Sequence, residues 1–298
     1  MNNEIKSMID AIYKDVFCGL REQYIIVFLC GGASKQDQIS LRDRVRVLLE
    51  NEKGFYWNKP FKVFYPEELF IELLNKTRDA DMLSYERFLA DNAHSIVIIC
   101  ESPGSLVELG AFANNDYTVD KVVAAVEKKH SKNKSFVMLG PIKYLRKRNK
   151  LSVIEYGSND VEFTKKLAKN IHEMNRISIS HGKINLTNIV GMHYFILLLL
   201  YFFKNMSSKE IVDMINYISM KESLEYSDFT ILFNSALKLL FQDKKIVKIP
   251  GKQYSSYKLT TIGFQAIKQM ISDSTRRNFC DTIRIKLMHY EFYKSPRS

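Results

Sequence analysis

Six short apolar runs between Tyr24 and Tyr156 limit the folds open to this chain: YIIVFLC (24–30), FKVFY (61–65), SIVIIC (95–100), KVVAAV (121–126), SFVML (135–139) and LSVIEY (151–156). Each is too short for a buried helix, and its apolarity is continuous rather than alternating. Strands of this kind are covered on both faces, the pattern of a parallel sheet with helices packed above and below. The amphipathic segments between the runs supply those helices. Residues 24–180 therefore read as a doubly wound, flavodoxin- or Rossmann-like α/β domain closed by a helix at about 160–177.

Ligands of such sheets bind beyond the carboxyl ends of the strands. The first run ends in Cys30-Gly31-Gly32-Ala33-Ser34, the second in Tyr65-Pro66-Glu67-Glu68, and the third in CESPGSLVELGAF (100–112). Gly31, Gly32 and Gly104 allow a ligand close to the backbone, and the helix start after Gly104 offers free amides suited to phosphate. With Ser34, Glu101, Ser102 and Ser105 they form the candidate substrate rim. Glu101 is either a contact of the site or a solvated charge at a strand end. Glu108 has two readings. Ser105-Leu-Val-Glu108 fits the S-x-x-E capping box, which would make the carboxylate structural. Alternatively, Glu108 stands beside the anomeric carbon of a phosphorylated sugar.

Beyond RISISHGKIN (176–185) the pattern changes. Helices at about 187–203, 207–219 and 227–246 are followed by two β-runs around Pro250-Gly251-Lys252 and a helix at 262–271. Residues 181–298 thus read as a winged helix-turn-helix domain, with residues 1–23 as a separate N-terminal helix. A small helical oligomerisation domain would use the same helices. The apolar stretch 192–203 falls short of the ~20 residues a spanning helix needs, so no membrane segment is expected.

The net charge of +11 is unevenly placed. Residues 1–120 hold 13 Lys and Arg against 19 Asp and Glu, whereas residues 121–150 hold 10 against 1 and residues 181–298 hold 17 against 9. Such clustering suits a polyanion, or else is a solvated basic face. Lys238, Lys244, Lys245, Lys248 and Lys252, with Tyr254 and Tyr257, are the expected contacts on the recognition helix and wing. Lys143, Arg146, Lys147 and Arg148 form a second candidate belt. Cys18, Cys30, Cys100 and Cys280 lack metal-site or disulfide spacing, so no metal is expected, and the acidic N-terminus is unlike a signal peptide. A cytoplasmic protein is expected.

Ser102-Pro-Gly104-Ser-Leu-Val-Glu108-Leu-Gly110 resembles the S-x-G-x-x-x-E-x-G signature of the nucleoside 2-deoxyribosyltransferase and deoxynucleotide N-hydrolase superfamily, and FLCGGAS resembles its first phosphate loop. FLCGG, FYPEELF, MLSYERFLA, ESPGSLVELGAFANN and GPIKYLRK, in this order and followed by the basic C-terminal half, resemble the effector proteins of type II-A retrons. The resemblance implies that Glu108 attacks the anomeric carbon and that Ser102 holds the 5′-phosphate with the amides of Gly31, Gly32 and Gly104. Where the superfamily carries a second acid, an aspartate, the nearest residue here is Glu86. A weak acid at that place points to NAD, whose nicotinamide leaves as a cation, rather than to a neutral nucleoside. The resemblance further implies no cofactor beyond this nucleotide substrate. Its implied partners are a reverse transcriptase and its multicopy single-stranded DNA/RNA, which hold a toxic effector in check within an oligomeric complex. A nucleotide-sensing DNA-binding regulator and an adaptor with a dead site are the competing readings.

Overall fold

The computed structural model describes residues 1–20, 24–52, 59–67, 88–176, 184–251, 255–272 and 274–294. It divides into two compact units, Gln23–Gly182 and a second formed by Met1–Glu22 with Lys183–Ser298. The first helix, α1 (Asn3–Ala11), belongs to the second unit.

The Gln23–Gly182 unit is built on β1 (Ile25–Cys30), β2 (Phe61–Phe64), β3 (Ser95–Ile99), β4 (Val122–Glu127) and β5 (Val153–Tyr156), all parallel, in the order β2-β1-β3-β4-β5. Its helices include α2 (Leu41–Glu50), α3 (Pro103–Ala113), α4 (Lys143–Arg148) and α5 (Asp160–Met174). Every residue of β1 and β3 is buried, as continuous apolarity requires. On one face Ile25, Val27, Leu29, Val97, Ile99 and Val123 share a core with Val45 and Leu49 of α2 and Phe163, Leu167 and Ile171 of α5. The alternate residues Ile26, Phe28, Ile96 and Ile98 are equally buried, so the other face is covered too. At roughly 1.5–3 kcal/mol for each large side chain buried, this sandwiched sheet is the main source of the unit's stability. The chain runs from β1 out to β2 and then to β3 on the other side of β1, so the topological switch lies between β1 and β3.

The fifth apolar run, residues 135–139, is a helical turn rather than the expected strand. The Met138 amide bonds to the Ser135 hydroxyl (3.3 Å) and the Leu139 amide to its carbonyl (2.9 Å), so Ser135 starts a turn leading through Met138–Ile142 into α4. Phe136 is 88% exposed, so this run never enters the core.

In the second unit α6 (Ile189–Phe203) is the buried centre, capped by the Asn188 side chain on the Gly191 amide (2.7 Å). Next come β6 (Met206–Ser207), α7 (Ser208–Lys221), α8 (Phe229–Gln242), the β7 (Ile246–Ile249) and β8 (Ser256–Leu259) hairpin, α9 (Thr261–Met270) and α10 (Ser274–Lys294). The strands form a small antiparallel sheet ordered β6-β8-β7. Residues 1–20 pack within this unit: Phe17 sets its ring edge on Phe195 of α6 (5.3 Å), and Asp10 pairs with Lys221 (2.5 Å) and accepts from Tyr217 (3.0 Å). Among the described residues no helix is long and apolar enough to cross a membrane.

Candidate active site and basic surfaces

The switch point brings together the residues that follow β1 and β3. Helix α3 begins with Ser102 as its N-cap and Pro103 in its first turn. The Ser105 amide donates to the Ser102 hydroxyl (3.2 Å), and the Ser102 amide donates to the Ser105 hydroxyl (3.1 Å). The capping box is therefore Ser102 with Ser105, not Ser105 with Glu108, because the helix starts three residues earlier than S-x-x-E implied. Glu108 is released from any capping role and lies in the second turn. Among the described residues nothing lies within 4 Å of where a Cβ on Gly104 would stand.

Half-buried Glu108 lies beside Cys30, the buried last residue of β1, close enough for each to influence the other's titration. Burial, and then the charge of Glu67, push the Glu108 carboxyl above its ordinary range, against the opposing pull of Cys30 and Arg42. Burial, Glu108 and Glu67 also push the Cys30 thiol up, so it is a neutral thiol and not a thiolate.

Gly31 sits tightly, since a Cβ there would meet Ile99 Cβ at 3.3 Å and Arg42 Cβ at 3.4 Å. The Gly32 amide, expected on a phosphate, donates instead to Glu101 Oε1 (3.1 Å). Burial raises the Glu101 carboxyl even though this amide favours its charge. Ser34 is engaged on both sides. It donates to Asp43 and accepts from the Ser40 amide (2.8 Å), which fixes the loop leading into α2. Burial works against the Asp43 charge, but hydrogen bonds from Ser34, Tyr65 and Ser40, together with Arg42, win and hold its carboxyl below the ordinary range.

Sequence reasoning missed Arg42 and gave Glu67 no role. Arg42 is 6% exposed, donates Nη1 to the Gly31 carbonyl (3.3 Å), ion-pairs with Glu67 and stacks 4.1 Å from the Tyr65 ring centroid. Its buried Nε has no hydrogen-bond partner among the described residues and lies 3.7 Å from Asp43. The available signal was the pair of acids, Glu67 and Glu68, directly after the second strand. Glu86, the expected second acid, lies outside the described residues. Among those described, no cluster of three His, Cys, Asp or Glu could hold a metal.

On the basic surfaces, Lys244 and Lys248 are exposed and Lys238 is half-buried. Lys245 is not a surface cation. Lys244 takes a left-handed conformation (φ 53°) after α8, with its amide on the Phe241 carbonyl and the Lys245 amide on the Leu240 carbonyl (both 2.9 Å). This closure turns Lys245 inward, where Nζ meets Asp243 (2.9 Å) and His193 (3.2 Å). Tyr257 is also buried, against Phe241 and with its hydroxyl 3.1 Å from Ser208, so it cannot stack on a base. Lys252 and Tyr254 lie outside the described residues. In the belt, Arg148 pairs with Asp120 (2.5 Å) and Arg146 with Glu155 (3.4 Å), whereas exposed Lys143 and Lys147 have no ion pair among the described residues. A cavity of about 400 Å³ lined by Tyr201, Lys268, Arg277, Asp281 and Arg284 gathers three cations that the sequence reading passed over. Its signal was the Arg277 and Arg284 spacing of two helical turns on α10.

A protein of Escherichia coli, "Retron Ec86 putative ribosyltransferase/DNA-binding protein", is 27% identical over 290 residues, covering 90% of this chain and 85% of that protein. Another from Escherichia coli, the "Retron Ec73 putative ribosyltransferase/DNA-binding protein", is 32% identical over 129 residues, or 42% of this chain and 39% of that protein. A family model described as "STM3845 retron effector protein" matches residues 38–248, from the loop after β1 to the hairpin. That span takes in both units and well over half of the sequence, and the chain belongs to the retron effector family.

Proposed function

We propose that the α/β unit cleaves the N-glycosidic bond of NAD or a related nucleotide, with Glu108 as the nucleophile. The observation that carries this reading is the position of Glu108: a half-buried carboxylate at the β1/β3 switch point, outside the helix cap, beside Cys30 and one helical turn from the open Gly104. A Glu108 oxygen bonds to the anomeric carbon while the C–N bond breaks towards the base through an oxocarbenium-like transition state. The start of α3, with Ser102 and the amide beside Gly104, would take the substrate phosphate. The ribosyltransferase in the names of the Ec86 and Ec73 relatives supports this class of chemistry.

The order helix, strand, helix, helix, hairpin of the second unit supports reading it as a winged helix-turn-helix. It would hold nucleic acid through Lys244 and Lys248, in line with the DNA-binding part of the relatives' names. On this reading the chain is the toxic effector of an anti-phage retron, restrained by the reverse transcriptase and its RNA–DNA product.

The test is Glu108→Gln in cells that lack the retron partners. Growth arrest and loss of NAD should disappear while the purified variant keeps its fold. A variant that still depletes NAD or another nucleotide would overturn the assignment.

A further inference from the structure

The cavity lined by Tyr201 of α6, Lys268 and Ile271 at the end of α9, and Arg277, Asp281 and Arg284 of α10 lies wholly within the second unit. Neither the proposed chemistry nor the hairpin gives it a task. Its volume of about 400 Å³ suits a small group rather than the side of a duplex.

Two of its cations rest on aromatic rings. The Tyr201 and Phe264 rings lie 5.4 Å apart. Arg284 sits 4.6 Å from the centroid of the first, and Lys268 Nζ 4.9 Å from that of the second. An aromatic face positions a cation without neutralising it, so N–H donors stay available. Arg284 also donates Nη1 to Asp281 (3.1 Å) and Nη2 to the Tyr201 hydroxyl, which fixes the guanidinium in place. Exposed Lys268 and Arg277 have no ion pair among the described residues. Lys268 stands in the last turn of α9, where the negative end of the helix favours it. Arg277 has no such reason. It stands in the first turn of α10 with no acidic residue beside it there, and the free amides at that end already carry partial positive charge.

Three cations against the single carboxylate of Asp281 leave this lining with two positive charges in excess. A phosphomonoester carries about −1.5 to −2 at neutral pH, whereas each internal phosphate of a nucleic acid carries a single negative charge. We propose that this cavity binds a phosphomonoester, either the terminal phosphate of a nucleic-acid strand or that of a small metabolite, through Lys268, Arg277 and Arg284. Arg277 supplies a bidentate fork, Lys268 a point charge, and Arg284 a third cation already held in position. The inference does not rest on Glu108 or on any reading of the α/β unit.

The experiment compares the purified full chain with the double variant Lys268→Gln, Arg277→Gln, both at exposed positions, so the unfolding temperature without ligand should not change. The probes are inorganic phosphate and one short single-stranded DNA bearing either phosphates or hydroxyls at both ends. Inorganic phosphate should raise the unfolding temperature of the unmodified chain and not that of the double variant. If strand ends are the source, the unmodified chain should bind the phosphorylated DNA about 10–100-fold more tightly than the hydroxyl form, and the double variant should bind the two alike. Protection by phosphate without a preference between the strands would assign the cavity to a small phosphorylated metabolite. Arg277→Lys, which keeps the charge and loses the fork, should fall between the two proteins, and it carries the test if the double variant is unstable. Phosphate effects of equal size in the unmodified chain and the variants would place the anion elsewhere, at the start of α3 for example, and would overturn the proposal. So would the absence of any effect in the unmodified chain.

Discussion

Lys245→Met separates a structural lysine from a nucleic-acid contact. The substitution keeps most of the apolar stem and removes only the ammonium group, which bridges Asp243 and His193. The side chains of Lys245 and Asp243 are 7% and 12% exposed, so water cannot replace the lost charge. Breaking a buried pair by removing one partner costs about 3–5 kcal/mol. For a unit of this size that corresponds to a fall of roughly 10–20 °C in its unfolding temperature. Lys244→Met with Lys248→Met, both at exposed positions, should change stability by no more than about 0.5 kcal/mol. Calorimetry of the full chain reads the first effect. Titration of a short RNA–DNA hybrid at several salt concentrations reads the second, because every phosphate that the protein no longer neutralises flattens the slope of log K against log salt by about 0.7–0.9. The exposed pair should flatten the slope and Lys245→Met should not. Adding Asp243→Asn to Lys245→Met should recover much of the lost stability. If Lys245→Met instead left the unfolding temperature unchanged and flattened the slope, the inward placement of Lys245 would be refuted.

Two further outcomes concern the α/β unit. Because burial, and then Glu67, raise the Glu108 carboxyl above its unfolded value, the folded state binds a proton more tightly than the unfolded chain. Stability contributed by this group is therefore present at low pH and lost as pH rises through the Glu108 titration, so Glu108→Gln should raise the neutral-pH unfolding temperature while abolishing activity; a lowered temperature would contradict it. The first-turnover rate should follow the same titration in the opposite sense, gaining as Glu108 ionises, with a midpoint above the ~4.3 of a free glutamate. Ser102→Ala removes the α3 N-cap and should cost about 1 kcal/mol of stability, while raising the KM for NAD more than that for unphosphorylated nicotinamide riboside. An equal rise for both substrates would leave Ser102 with the cap alone.

The sheet was legible because burial on both faces leaves an unmistakable mark: the runs at 24–30 and 95–100 contain no alternation, and β1 and β3 are buried at every position. The run at 135–139 carries the same composition but was misread, because its fate depends on Ser135 bonding forward to the Met138 and Leu139 amides. Local capping outweighs β propensity in this segment. Helix α10 went unread for a different reason. Its buried positions, Cys280, Ile283 and Leu287, alternate with exposed Ile285, Met288 and Phe292, so apolar residues spread around the helix and blur the 3.6-residue period.

At the candidate site, the legible residues were those adjacent in sequence to a strand end. Gly31, Gly32, Glu101 and Ser102 follow β1 or β3 within three residues, Glu108 lies on the helix that follows β3, and the parallel topology brings them to one rim. The partners that set their chemistry were hidden by distance. The Arg42 to Glu67 pair spans 25 residues and joins α2 to the segment after β2, and the Gly32 to Glu101 bond spans 69 and joins the segments after β1 and β3. Arg42 is concealed further by its company: LRDRVRVLLE reads as an amphipathic helix with three solvent-facing arginines, yet the first of them is buried. A carboxylate placed by sheet topology can be found from sequence, but whether it acts as nucleophile, base or cap depends on cross-strand partners that only the folded chain assembles. Glu108 shows the consequence, for a shift of three residues in the start of α3 is what frees it from the cap and leaves it to Cys30 and Glu67.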